Sequence, residues 1–230
     1  MPTHSQRDSL RLLLRWSFPG RSLIFFLSAM SIWCLLAEMY HLCSMRFFTL
    51  AILIPATILL ILIAIADYFA GDKRLSRAVL VGSLAGLLAA VAYDVFRLPF
   101  VFAHQWHLAP YIPAMNLYKP FPRFGAMILN QPVEQPSYSL LTHLVGWIYH
   151  FSNGITFGIM YLAIVGNPAR RSWLWAIALA AGLELAMLFT PYPGFFAITV
   201  TAAFVAVTLS AHILFGIVLG LTSRRLSAQS

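Results

Sequence analysis

The chain has 230 residues, 60% hydrophobic and 10% charged, with a net charge of +8. A soluble domain carries about 25% charged and roughly 45–50% apolar residues, so this composition excludes a water-soluble fold, a disordered chain, a coiled coil and a disulfide scaffold. The basic residues fall between apolar segments, which argues against a nucleic-acid partner and makes them markers of membrane orientation.

Residues 1–21 come first. Arg7, Arg11 and Arg15 repeat every four residues and form one stripe on a helix, with Leu10, Leu13, Leu14 and Trp16 covering much of the rest. That pattern predicts a basic helix lying on an anionic membrane surface, or else a basic tail that only sets orientation. No small-residue cleavage site follows cleanly, so the first apolar stretch is expected to be a retained span.

Six apolar segments follow, at 22–43, 47–70, 78–98, 138–165, 172–189 and 196–221. All but the fifth meet or exceed the usual spanning length, and the fifth lies within its range. Pro55 is expected to kink the second. Cys34 and Cys43 would be separated by about 13 Å of helical rise, too far for a disulfide. The predicted fold is an all-α polytopic transmembrane bundle. Three helices over 22–98 and three over 138–221 flank a long loop at 99–137, and a short tail occupies 222–230.

Sorting the Lys and Arg residues gives the direction. Arg7, Arg11, Arg15, Arg21, Lys73, Arg74, Arg77, Arg170, Arg171, Arg224 and Arg225 fall on one side, and Arg46, Arg97, Lys119 and Arg123 on the other, a split of 11 to 4. The positive-inside rule then places both termini in the cytoplasm and the long loop outside. That loop holds seven prolines among many aromatics. It is expected to lie across the outer mouth, partly embedded, with Trp106, Tyr111, Tyr118 and Phe121 at headgroup level.

Small residues four apart let helix backbones approach closely in lipid. Gly82/Gly86, Gly154/Gly158 and Gly216/Gly220 have this spacing, and two copies extend to H-x-x-x-G-x-x-x-G with His150 and His212. Each histidine therefore shares a face with its glycines and should point into the bundle. Glu38, Asp94 and Glu184 sit near the outer ends of the three outward helices, which predicts three related hairpins, the pattern of an internal repeat.

Counting from the expected span ends puts Glu38, Asp94, His143 and Glu184 in one layer roughly 6–8 Å deep, with His150 roughly 18 Å and His212 roughly 24 Å deep. Arg97 is one turn from Asp94 and can pair with it, as His41 can with Glu38. Asn153 shares the side of His150. Glu184 has no basic neighbour on its own helix, so it needs a partner from another helix, such as His143, or it must be protonated. An ionisable group in a span is a functional-site hypothesis by default. The candidates for a ligand or proton site are thus Glu38, Asp94, Arg97, His143, His150, Asn153, Glu184 and His212. Glu38, Asp94, His143 and Glu184 have the donor types of a metal site. One haem between His150 and His212 is possible but strained. H-E-x-x-H, G-x-S-x-G, P-loop and C-x-x-C motifs are all missing, so enzymatic activity is left open.

The runs Y-D-V-F-R-L-P (Tyr93–Pro99), H-F-S-N-G-I-T-F-G-I-M-Y (His150–Tyr161), T-P-Y-P (Thr190–Pro193) and A-H-I-L-F-G-I-V-L-G (Ala211–Gly220) resemble uncharacterised bacterial multi-pass membrane proteins over about residues 78–221. The resemblance implies a bacterial inner-membrane location and brings no activity with it.

Three functions compete. The first is a small proton-linked permease or ligand-binding membrane protein for a solute or cation, expected as a homodimer because six helices are few for a transporter. The second is a metal- or haem-dependent membrane enzyme or redox protein. The third is a structural or assembly protein whose polar groups only pair helices. The first is the leading expectation.

Overall fold

The computed structural model describes residues 17–228, so the basic stripe of Arg7, Arg11 and Arg15 lies outside the described residues. All regular structure in the described residues is helical. Five helical runs are long and apolar enough to cross a membrane: Phe18–Met39, Met45–Phe69, Arg74–Val101, Leu140–Val165 and Ala202–Ala228. A shorter apolar helix covers Leu174–Leu188. Large apolar side chains such as Leu62, Phe69, Leu88, Ile148 and Trp175 stand exposed around the bundle. In water that much exposed apolar surface would drive aggregation, whereas hydrocarbon solvates it. The protein is a membrane-embedded helical bundle.

Helix α1 (Phe18–Met39) has Pro19 in its first turn, where a missing N–H is tolerated. Helix α2 (Met45–Phe48) runs through a π-helical turn, Thr49–Leu53, into α3 (Ile54–Ala70). Pro55 explains the widened turn: it has no N–H to donate upstream, and a π-turn relieves the ring's clash. Helix α4 (Arg74–Val101) continues past Pro99. It ends three residues later than the sequence predicts, because a proline in the last turn removes only one of the final hydrogen bonds.

Helix α5 (Pro120–Ile128) lies inside the long loop. Helix α6 (Leu140–Val165) starts where the Ser139 side chain accepts from the Thr142 N–H. Helix α7 (Leu174–Leu188) leads to a single turn, α8 (Tyr192–Phe195). Helix α9 (Ala202–Ala228) begins six residues later than predicted and runs on through the expected tail. Residues 199–201, including β-branched Thr199, Val200 and Thr201, are not helical.

The α6 helix is central and packs on α4, α5 and α1, while α9 packs on α4 and α7. Glycine sets these contacts. A Cβ at Gly82 would lie 2.7 Å from the Ile159 Cα, and one at Gly220 would lie 2.6 Å from the Trp173 carbonyl oxygen. The stripes expected from sequence are thus intramolecular seams between α4 and α6 and between α9 and α7.

One end of the bundle is basic. There the Arg21 guanidinium donates from Nε to the Ala163 carbonyl at 2.7 Å and from Nη2 to that of Ile164, covering orphan carbonyls at the end of α6. At the same end Arg77 donates to the Ser227 carbonyl at 3.0 Å, and buried Asp67 accepts from the Ser76 N–H at 2.9 Å in the first turn of α4.

The opposite, loop end contains a re-entrant element. Helix α5 runs antiparallel to α6, with Gly125 against the Thr142 carbonyl and Gly146 against that of Phe121. The chain therefore descends through residues 102–119 to the level of His150, about 15 Å inside the start of α6, and climbs back along α5. Buried Arg123 anchors α5, donating to the Phe196 carbonyl at 2.5 Å and pairing with Glu134. Lys119 donates to the Ala197 carbonyl at 3.0 Å. Trp106 and Tyr111 are exposed, but Phe121 is buried and Tyr118 half-buried. Those two aromatics are thus part of the bundle interior, a correction to their expected headgroup position. Phe121 is drawn in by a stacked contact on the His150 ring, 4.1 Å between centroids.

Candidate functional site

Two acid–histidine pairs meet around one aromatic ring. Asp94 of α4 sits between Arg97, at 3.2 Å from Nη1, and His150 of α6, at 2.8 Å from Nε2. Glu184 of α7 lies 3.3 Å from the Nδ1 of His212 on α9, which also faces the Thr208 carbonyl at 2.9 Å. Asp94, Arg97 and Glu184 are buried. The Tyr93 ring stands between the pairs, with its centroid 4.8 Å from that of His212 and 6.2 Å from that of His150.

Arg97 ties this centre to the re-entrant segment. Its guanidinium donates to the Leu117 carbonyl and lies over the rings of Tyr93, Tyr118 and Phe121 at 4.6, 5.0 and 5.4 Å. Tyr118 donates its hydroxyl to the Asp94 carbonyl at 2.8 Å. An arginine desolvated among ring faces and held by a carboxylate satisfies the two requirements of a buried cation.

The sequence places the histidines on the packed faces of their helices, and the structure puts both beside acids. Their depths need correcting. His212 is ten residues into α9 and His150 ten residues into α6, so each is about 15 Å from its helix start. The late start of α9 removes the expected 6 Å offset. Two of the three expected hairpins therefore share one device: an acid on the first helix, a histidine on the second, and glycines that bring the two backbones together.

The first hairpin lacks it. Glu38 accepts from the Met45 N–H at the start of α2 and is a structural cap. His41 is exposed in a left-handed turn, φ 55°, instead of pairing with Glu38. His143 is exposed beside Tyr138, 6.0 Å between centroids, so His212 takes its expected place opposite Glu184. Glu38, Asp94, His143 and Glu184 do not converge, and among the described residues no three His, Cys, Asp or Glu side chains are placed to hold a metal. A haem does not fit between His150 and His212 because the Tyr93 ring stands in that space.

Two cavities flank this centre. One, of about 310 Å³, is chiefly apolar, and His150, Asn153 and His212 line it together with residues of α1, α5 and α7. The other, of about 410 Å³, lies toward the loop end, and Glu184, Asn116, Lys119, Thr201 and Thr208 line it. Tyr93, Arg97, Met187 and Tyr192 border both and form the partition. Glu184 belongs to the polar chamber and His212 to the apolar one, so their pair crosses the partition. Asn153 keeps a buried Oδ1 with no hydrogen-bond partner among the described residues.

Tyr93 and Phe121 are the site residues that sequence reasoning misses. Tyr93 adjoins Asp94, a weak signal, whereas nothing local shows that Phe121 descends to His150. No protein-family model, curated protein or solved structure matches the chain.

Proposed function

We propose that the chain is a six-span inner-membrane protein, with both termini cytoplasmic, that binds a ligand in the core and moves protons at the Glu184–His212 pair: a small proton-linked permease or ligand-binding membrane protein. The observation that carries this reading is the crossing of the partition by that pair, with the acid in the polar chamber and the base in the apolar cavity. A carboxylate and an imidazole in contact can exchange one proton, and a buried pair excludes the competing water.

The topology rests on the basic end, where Arg21, Arg77, Arg170 and Arg224 gather, being cytoplasmic. Helix α7 rises only about 22 Å, short of a core of about 30 Å. It still joins the two ends: Trp173 lies against Gly220 toward the basic end, and Glu184 meets His212 toward the loop end. Local thinning of the bilayer accommodates a helix of this length.

Proton entry into liposomes, followed with a trapped pH-sensitive dye after an acid pulse, tests the reading. Wild-type protein should raise the rate above that of empty vesicles. Glu184→Gln, which keeps shape and hydrogen bonding, should abolish the increment, and Asp72→Asn, at an exposed acid paired with exposed Arg74, should keep it. Equal rates for wild type and Glu184→Gln would refute proton transfer at this pair.

A further inference from the structure

Building on the ligand-binding part of that reading, we propose that the apolar cavity receives a neutral, hydroxyl-bearing amphiphile from the bilayer, its head held by His212, His150 and Asn153 and its chain lying between α1 and α7. The carrying observation is the polarity of the groups left unpartnered. His212 Nδ1 faces the Thr208 carbonyl, which can only accept, so Nδ1 bears the hydrogen and the neutral ring offers Nε2 as an acceptor. His150 Nε2 faces the Asp94 carboxylate, so in the neutral ring Nδ1 is the acceptor. Neither second nitrogen has a partner among the described residues, and both histidines line the cavity. Asn153 adds an unpartnered carbonyl oxygen. Against these three acceptors the cavity wall leaves one unpartnered buried donor, Arg97 Nε. A group that both donates and accepts suits that set, and a hydroxyl is the simplest such group.

Charge selects against the common anionic head. Asp94 matches Arg97, so no cation is left over to pair with an anionic head. A carboxylate or phosphate head would bring an unpaired charge into a low-dielectric site. The remaining lining suits an aromatic head and an alkyl chain: Tyr93, Phe121, Tyr149, Phe157 and Phe215 surround the histidines.

The entry route follows from packing. Helices α1 and α7 form opposite walls of the cavity yet are not packed on each other. Ile32, Leu35 and Leu36 of α1 and Leu179, Leu183 and Met187 of α7 are only half-buried along this gap. A gap with apolar edges between two outer helices admits a chain from the hydrocarbon core, not a solute from water.

Nonylphenol, nonylanisole and nonylbenzoate are the probes, added to the full-length protein in nanodiscs. The anisole has the same ring and chain without the donor, and the benzoate has an anionic head. Binding is read as the shift in thermal midpoint over a concentration series. Nonylphenol at about a hundredfold above its Kd should raise the midpoint by roughly 5–10 °C. It should bind roughly tenfold tighter than nonylanisole, the value of one hydrogen bond, and benzoate should bind weakest. His212→Phe should erase the phenol preference, and Leu183→Trp, which fills the cavity from the α7 wall, should erase stabilisation by all three. Equal binding of phenol and anisole, tighter binding of benzoate, no stabilisation by phenol, or stabilisation that survives Leu183→Trp would each overturn the proposal. These readouts are independent of proton movement, so loss of the proton increment with phenol binding intact would refute the transport reading alone.

Discussion

Arg97→Met is expected to destabilise the folded protein by about 3–5 kcal/mol, the cost of removing one partner from a buried ion pair. The physical source is Asp94, which is 7% exposed and would keep its charge with only His150 beside it. The same change releases the Leu117 carbonyl and the cation contacts to Tyr93, Tyr118 and Phe121, so the re-entrant segment loses its main tether. Thermal unfolding in nanodiscs should show the lowered midpoint, and hydrogen exchange at residues 115–121 should rise. Adding Asp94→Asn to Arg97→Met should recover part of the loss, because no lone charge is then left in the interior. A double variant as unstable as the sum of the single changes would show that the pair is not what holds this region.

Gly158→Ala is expected to destabilise by about 1–3 kcal/mol, an overpacking cost, although alanine is the better helix former. A Cβ at Gly158 would fall on the Gly82 carbonyl oxygen, with Gly86 Cα only 2.9 Å away, so α4 and α6 must separate. Separation also pulls His150 away from Asp94. Gly182 is the control: no atom lies within 4 Å of its added Cβ. Gly182→Ala should therefore leave the midpoint unchanged or raise it slightly. Equal effects at the two positions would mean that the α4–α6 seam is not tightly packed.

These two regions show how far the sequence reaches. Helix-face periodicity needs only the 3.6-residue repeat, so Gly82, Gly86, Gly154 and Gly158, and the inward direction of His150 and His212, could be read directly. The Asp94–Arg97 contact is a one-turn neighbour and equally legible. Partners between helices are a different matter. Glu184 pairs with His212 and not His143 because α7 packs on α9, and nothing local encodes that neighbour. Depth failed for a specific reason. Hydropathy extends the last span back to Phe196, but residues 196–201 fold into the turn held by Arg123 and Lys119, so His212 lies about 9 Å shallower than the count implied. Phe121 was misplaced because a proline-rich loop normally lies at a surface. Here the buried cation of Arg97 and the ring of His150 draw it inward.

The proposed function requires Glu184 to be a proton-carrying group held in the interior beside His212. Labelling with a membrane-permeant carbodiimide, which forms a stable adduct with protonated carboxyl groups, tests this most directly when the modified residue is located by mass spectrometry. Glu184 should be the modified intramembrane acid, Asp94 should be spared by its ion pair with Arg97, and Glu184→Gln should remove the adduct. An unreactive Glu184, or an adduct on Asp94 in its place, would contradict the account.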